Sequence, residues 1–227
     1  MKRLIYVGLY TTLFTSLTCC NGQPKNNNQS IQKTTTDKSK IVGGGCDGCE
    51  LMYIGMPTVI HSSDTSSSWY EKGQRLLVAG RVYKSDGKTP APTVIIYYWQ
   101  TNNDGYYSPT HGMDEKAKRH GHIRGWVKTD ESGKYSIYTI RPAPYPNDVL
   151  PAHIHLSIKE PDVENEYYTD DINFDDDKLL TPHFKKYPQE NRGGSGAVRV
   201  SLKGDIQIAD HDIILGLNIP NYPRKEK

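Results

Sequence analysis

The chain has 227 residues, enough for one sizeable domain or two small ones, and 28 Lys+Arg against 26 Asp+Glu leave a net charge of +2 at pH 7. Residues 41–227 hold 22 basic against 25 acidic side chains, so the positive balance belongs to the first forty residues. A mildly acidic domain with no basic stripe lacks the electrostatic footprint of a nucleic-acid binder.

Residues 1–20, "MKRLIYVGLYTTLFTSLTCC", open with Lys2 and Arg3, continue through an apolar stretch too short to span a bilayer, and end in small residues and cysteine. This pattern predicts an export signal. Leu17, three residues before Cys20, resembles a bacterial lipoprotein processing site and predicts lipidation at Cys20, with Cys19 as the neighbouring alternative. An ordinary secretory signal cleaved nearby is the competing reading. The expectation is an exported lipoprotein, periplasmic or at the cell surface, whose only membrane contact is a lipid anchor. Residues 21–40, "NGQPKNNNQSIQKTTTDKSK", have too little apolar surface for a core and read as a disordered tether. The folded domain is expected over 41–227.

That domain opens on "GGGCDGCE", a lone CxxC at Cys46 and Cys49. Such a pair serves as a local disulfide, a redox couple or half a zinc site. No second CxxC completes a zinc site and no helix follows to support the redox reading, so an oxidising compartment favours a structural disulfide. Apolar or alternating runs of strand length then dominate: 75–83, 93–99, 135–140, 153–158, 197–202 and 211–217. Turn signals such as "SDGKTPAP", "NNDG" and "DESGK" separate them, and no helical period extends beyond about ten residues. Strands without intervening helices predict an all-β, antiparallel sandwich with few or no long helices. Tyrosine occurs 16 times against three phenylalanines, which points to work for the hydroxyl.

Within "PAHIHLSI", strand alternation puts His153, His155 and Ser157 on one face and Ile154, Leu156 and Ile158 on the other. The apolar face belongs to the core, so both imidazoles point away from it. Their backbones lie roughly 6–7 Å apart, close enough to reach one ion. His-x-His alone is a weak signal. A second copy, His120 and His122 in "RHGHIRG", reads as a polar surface loop.

The surrounding order carries more weight. Trp99-Gln100, Gly105-Tyr106-Tyr107, Thr129-Asp130 with Gly133 and Tyr135, Thr139-Ile140 with Pro142 and Tyr145-Pro146, and Pro151-Ala152-His153-Ile154-His155 follow one another. Over about residues 76–180 this succession resembles the intradiol ring-cleavage dioxygenases, among them the catechol and protocatechuate enzymes. The resemblance implies a non-haem Fe(3+) site held by Tyr107, Tyr145, His153 and His155 with a solvent hydroxide. It implies a small-molecule catechol and O2 as reactants, a muconate-type diacid as product, and Tyr145 as the tyrosinate that helps take up the catechol protons. Phenolate oxygens suit a hard, trivalent ion and imidazoles complete its sphere.

Two departures qualify the resemblance. Where the family carries an arginine three residues before the first histidine, this chain has Leu150, without charge or donor. Asp171 falls near the place of a family glutamine. Arg124 or Arg141 would have to supply the missing substrate-side charge. The alternative reading is therefore a sandwich module that retains the iron site and binds a ligand without turnover. The run Asp175 to Asp177 reads as a solvated loop, with Ca²⁺ binding as its rival. The sequence leaves a homo-oligomer open.

Overall fold

Long apolar runs interrupted by glycine, proline and aspartate cannot propagate helices, and they pair as sheets. The structure is a computed structural model that describes residues 41–146 and 149–223. The predicted signal, the tether and Cys20 lie outside the described residues.

Among the described residues, twelve strands and one short α-helix follow in order: β1 Ser63–Thr65, β2 Arg75–Tyr83, β3 Ile95–Gln100, β4 Arg124–Lys128, β5 Lys134–Ile140, β6 His153–Lys159, β7 Tyr167–Tyr168, β8 Ile172–Phe174, α1 Leu180–Lys186, β9 Ala197–Val198, β10 Val200–Lys203, β11 Ile206–Asp210 and β12 Ile213–Ile214. One sheet has the order β1-β5-β2-β11-β10 with β12 also on β2, and the other has β4-β3-β6-β8-β9 with β7 also on β6. The all-β sandwich is as expected, but it is not purely antiparallel. The pairs β1–β5, β2–β11, β2–β12 and β8–β9 are parallel. Long connections that cross between sheets permit this, whereas the antiparallel pairs β3–β4 and β3–β6 carry the centre of the second sheet.

Two predicted runs are shortened for the same topological reason. The run 197–202 divides at Arg199, because β9 pairs with β8 in one sheet and β10 with β11 in the other. The run 211–217 contributes only β12 to the ladder; the carbonyl of His211 packs so closely on Gly80 that a side chain there would collide.

The main core lies between the sheets. Leu76, Val78, Ile137 and Ala209 from the first sheet meet Ile96, Tyr98, Val127, Ile154, Leu156 and Phe174 from the second. The second sheet is also covered on its outer face, where Met52, Tyr97 and Trp99 form a separate cluster. This double burial explains why β3 reads as a continuous apolar run and not an alternating one. Cys46 and Cys49 are joined as a disulfide. The 3-10 turn Cys49–Tyr53 that follows is pinned to the outer face by Trp126, whose Nε1 donates to the Met52 carbonyl at 2.7 Å. Leu156 is fully buried on the core side of β6. Leu156→Ala is expected to cost about 2–5 kcal/mol, read as a lowered urea midpoint with an unchanged slope.

Candidate metal centre

The outer face of β6 presents His153 and His155, and two loops bring phenols above it. The first loop follows β3. The Asn102 side chain accepts from the backbone N–H groups of Asp104 and Tyr106, which closes a tight turn and presents Tyr107. The second loop carries Tyr145 and precedes β6. Thr101 donates to the Ala143 carbonyl at 2.7 Å, and the Ala143 N–H donates to the Asn102 carbonyl at 3.2 Å, so the loops are stitched together. Gly105 stands at φ +84, and a Cβ there would collide with the Pro144 carbonyl. The glycine of the Gly-x-Tyr turn is therefore required by close approach as well as by its dihedral.

The four predicted ligands converge. Tyr107 Oη lies 2.6 Å from Tyr145 Oη and 2.9 Å from His155 Nε2. Tyr145 Oη lies 3.1 Å from His153 Nε2, and the two Nε2 atoms are 3.2 Å apart. Metal–nitrogen bonds of about 2.0–2.1 Å separate adjacent donors on one ion by roughly 3 Å, which is the spacing of this ring. The tautomers fit as well. His153 Nδ1 donates to the Pro151 carbonyl at 2.8 Å and His155 Nδ1 donates to Asp171 Oδ1 at 2.9 Å, so each Nε2 keeps its lone pair for the centre.

Burial disfavours charge on Tyr107 and His153 until a cation arrives. Burial, then the neighbouring His155, pushes His153 below its ordinary value. Burial, then the hydrogen bond with Tyr145, pushes the Tyr107 phenol well up. Burial alone would raise the Asp171 carboxyl, but the His155 imidazole outweighs it and holds the group below the usual carboxylate range. Asp171 and the two histidines also form a cluster whose ligand atoms lie within 4.8 Å of one another. Because Asp171 is bonded to the Nδ1 side of His155, it orients that ring and is not a fifth member of the donor ring. Asp171 as a histidine partner is invisible to local sequence reading: the contact spans 16 residues and depends on β6 pairing with β8.

The remaining expectations distribute differently. Leu150 is half-buried on the loop leading into β6, next to an exposed Val149. Arg124 donates to Tyr97 Oη at 3.0 Å and to the Ile54 carbonyl, and it stacks over Trp126. Arg141 makes a two-pronged pair with Asp176 and lies 4.4 Å over the Phe174 ring. Both arginines are thus engaged in packing contacts. The acidic run is similarly occupied: Asp177 accepts from the Ala152 and Leu179 N–H groups, and Asp175 faces Arg199. The surface reading of His120 is corrected. It is 3% exposed, because the 3-10 turn Ala117–His120 folds its ring inward onto Trp99. His122, by contrast, pairs with Glu71 at 2.8 Å.

The depressed histidines have a consequence for stability. His120 is pushed down to about 3 by burial and by the charge of His155, and His211 to about 4 by burial. An unfolded histidine titrates near 6.5. Both groups therefore contribute stability that is complete above about pH 6.5 and is lost as pH falls towards their folded values. Urea midpoints of metal-free protein are expected to fall between pH 6.5 and 4, less steeply in His211→Asn.

The Dioxygenase family profile (Dioxygenase_C) matches residues 57–192. The catechol 1,2-dioxygenase of Candida albicans is 27% identical over 169 residues, an overlap of 62% of this chain and 54% of that protein. The catechol 1,2-dioxygenase of Acinetobacter baylyi is 32% identical over 124 residues, covering 48% and 39%. The chain thus spans about half, or less, of the length of the curated relatives it matches. Among solved structures, catechol 1,2-dioxygenase from Pseudomonas arvilla C-1 superposes with a TM-score of 0.53 at 20% identity, over 71% of this chain and 58% of the other. The dioxygenase domain of a dioxygenase carbohydrate-binding protein fusion from Streptomyces sp. SirexAA-E gives 0.52 at 23% identity, over 69% and 87%. At these identities the structural likeness speaks for the fold.

Proposed function

The chain belongs to the dioxygenase family, and we propose that it is an iron(III)-dependent intradiol dioxygenase. It opens a catecholic ring between the two oxygenated carbons and places both atoms of O2 in a muconate-type diacid. The observation that supports this most directly is the ring of four donors from Tyr107, Tyr145, His153 and His155, at 2.6–3.2 Å from one to the next. Two phenol oxygens and two imidazole nitrogens suit a hard trivalent ion better than the sulfur-rich sets that select zinc or copper(I).

When bound, iron(III) supplies Lewis acidity and a template for the catechol oxygens. The chain's residues do the rest. Both histidines present Nε2 because their Nδ1 protons are already committed to Pro151 and Asp171. Tyr107 gives up its proton only against a cation, since burial pushes its phenol the other way. Tyr145 is carried by a loop and not by a strand, and its phenol oxygen takes up a catechol proton. Trp99, buried behind His155, keeps water from that side of the site. In the cell, lipidation at Cys20 would place this chemistry on an exported, membrane-anchored domain.

Leu150 favours a second reading, a module that holds the metal and binds catechols without turnover. Neither Arg124 nor Arg141 is free to replace the missing charge without breaking its own contacts. Iron-loaded protein is expected to be reddish, from charge transfer between tyrosinate and iron(III), and to consume one O2 per catechol in an oxygen-electrode assay. Tyr107→Phe, His153→Ala and His155→Ala should each weaken or abolish the colour. Protein that stays colourless after ferric reconstitution excludes the metal reading; coloured protein that takes up no O2 over a panel of catechols leaves the binding module, with Leu150→Arg as the variant that should restore turnover. Asp171→Asn is expected to weaken ferric binding by about 10–100-fold in a chelator competition.

A further inference from the structure

His120 is a buried, flat side chain with no place in the donor ring, yet it is connected to it. Its ring lies 4.1 Å from the Trp99 ring with only 3° between the planes. Trp99 also stacks on His155, at 4.8 Å and 23°. Trp99 thus touches both His120 and a member of the donor ring. Strand register explains the second contact, since Trp99 on β3 stands directly opposite His155 on β6. His120 arrives from a different element, the turn before β4, and is 3% exposed.

The orientation of His120 is itself fixed. Arg124 donates to the Tyr97 hydroxyl oxygen at 3.0 Å, and that hydroxyl lies 2.9 Å from His120 Nδ1. With its oxygen already accepting from Arg124, the Tyr97 hydroxyl donates to Nδ1 and leaves the proton of His120 on Nε2. Burial keeps the ring neutral through the whole working range of pH, so it stacks as an aromatic plate and not as a cation. The residue that follows, Gly121, packs against the backbone of Tyr107; a Cβ there would stand 2.9 Å from Tyr107 Cα. One short segment therefore touches the supports of two of the four donors.

From this arrangement we infer that His120 is a positioning residue of the metal centre: through Trp99 it fixes the plane of the His155 imidazole and, through the Gly121 contact, the height of Tyr107. The inference rests on the ferric reading of the donor ring for its effect on the metal, while the stack itself is a property of the protein without metal. A free imidazole pivots about its bond to Cβ. Asp171 restrains that pivot at one atom, and a parallel ring system restrains the whole plane. Two restraints of different kind hold a ligand better than either alone.

The test compares His120→Ala, which removes the plate, with His120→Phe, which keeps a flat ring and loses only the bond to Tyr97. Ile137→Val, in the core between the sheets, serves as a control for general loss of stability. In ferric protein, His120→Ala is expected to shift the charge-transfer maximum and to weaken iron binding by about 10-fold, His120→Phe to restore most of both, and Ile137→Val to change neither. In metal-free protein, the ring-proton resonances of His155 are expected at the upfield positions that stacking on Trp99 imposes, and to move in His120→Ala but not in His120→Phe. Identical spectra and affinities for wild type and His120→Ala overturn the inference, as does equal displacement in both His120 variants or in the control. If wild-type protein takes up no iron, the ferric reading fails and the metal-free resonances alone decide whether His120 orients His155. Should His120→Ala not fold, His120→Phe against His120→Gln makes the same comparison of flat ring against none.

Discussion

Everything at the centre depends on one strand being buried on both faces. β6 sends Ile154, Leu156 and Ile158 into the sandwich core and His153 and His155 to the other side. Alternation with period two makes the two sets inseparable: a slip of one residue would drive both imidazoles into the core and turn Ile154, Leu156 and Ile158 to the outer face. The hydrophobic effect that fixes the register of β6 therefore also fixes the placement of the imidazoles. Packing between sheets sets the geometry of a site that does not lie between them.

An outer face bearing two imidazoles is costly to bury unless each nitrogen is satisfied. The chain meets that requirement with loops. The disulfide-closed segment before β1, the loop after β3 and the loop before β6 cover the face, and side chains tie them down. Trp126 bonds the Met52 carbonyl, Arg124 bonds the Ile54 carbonyl, and Tyr168 donates to the Asp47 carbonyl at 2.6 Å. Arginine and tryptophan here act as staples, which is why charge in this region does not translate into charge available to a substrate.

The same burial sets the electrical character of the donor ring. Desolvation pushes the Tyr107 phenol up and the His153 imidazole down, so the protein without metal disfavours charge on both. A multivalent cation reverses the balance for the phenols, because its attraction in a poorly hydrated site exceeds the cost of removing their protons. Without metal the Tyr107 and Tyr145 hydroxyls donate to Nε2 of His155 and His153, and the site changes its charge state when the ion enters.

Strand alternation and turn residues made the sandwich and the outward face of His153 and His155 legible from the chain alone, whereas the grouping of these two with Tyr107 and Tyr145 came from the resemblance to the intradiol dioxygenases that the order of short motifs carries. Leu150 and Asp171 were also visible as departures from a pattern. The roles of Asp171, His120 and Arg124 were not. Asp171 becomes a histidine partner only when β8 pairs with β6, His120 is drawn inward only by the stacked face of Trp99, and Arg124 is committed only because the segment Cys49–Tyr53 lies across it. Sequence determined which side chains are available and which face of a strand they occupy; long-range pairing and the covering loops decided which of them meet, since contacts across tens of residues leave no mark in local periodicity.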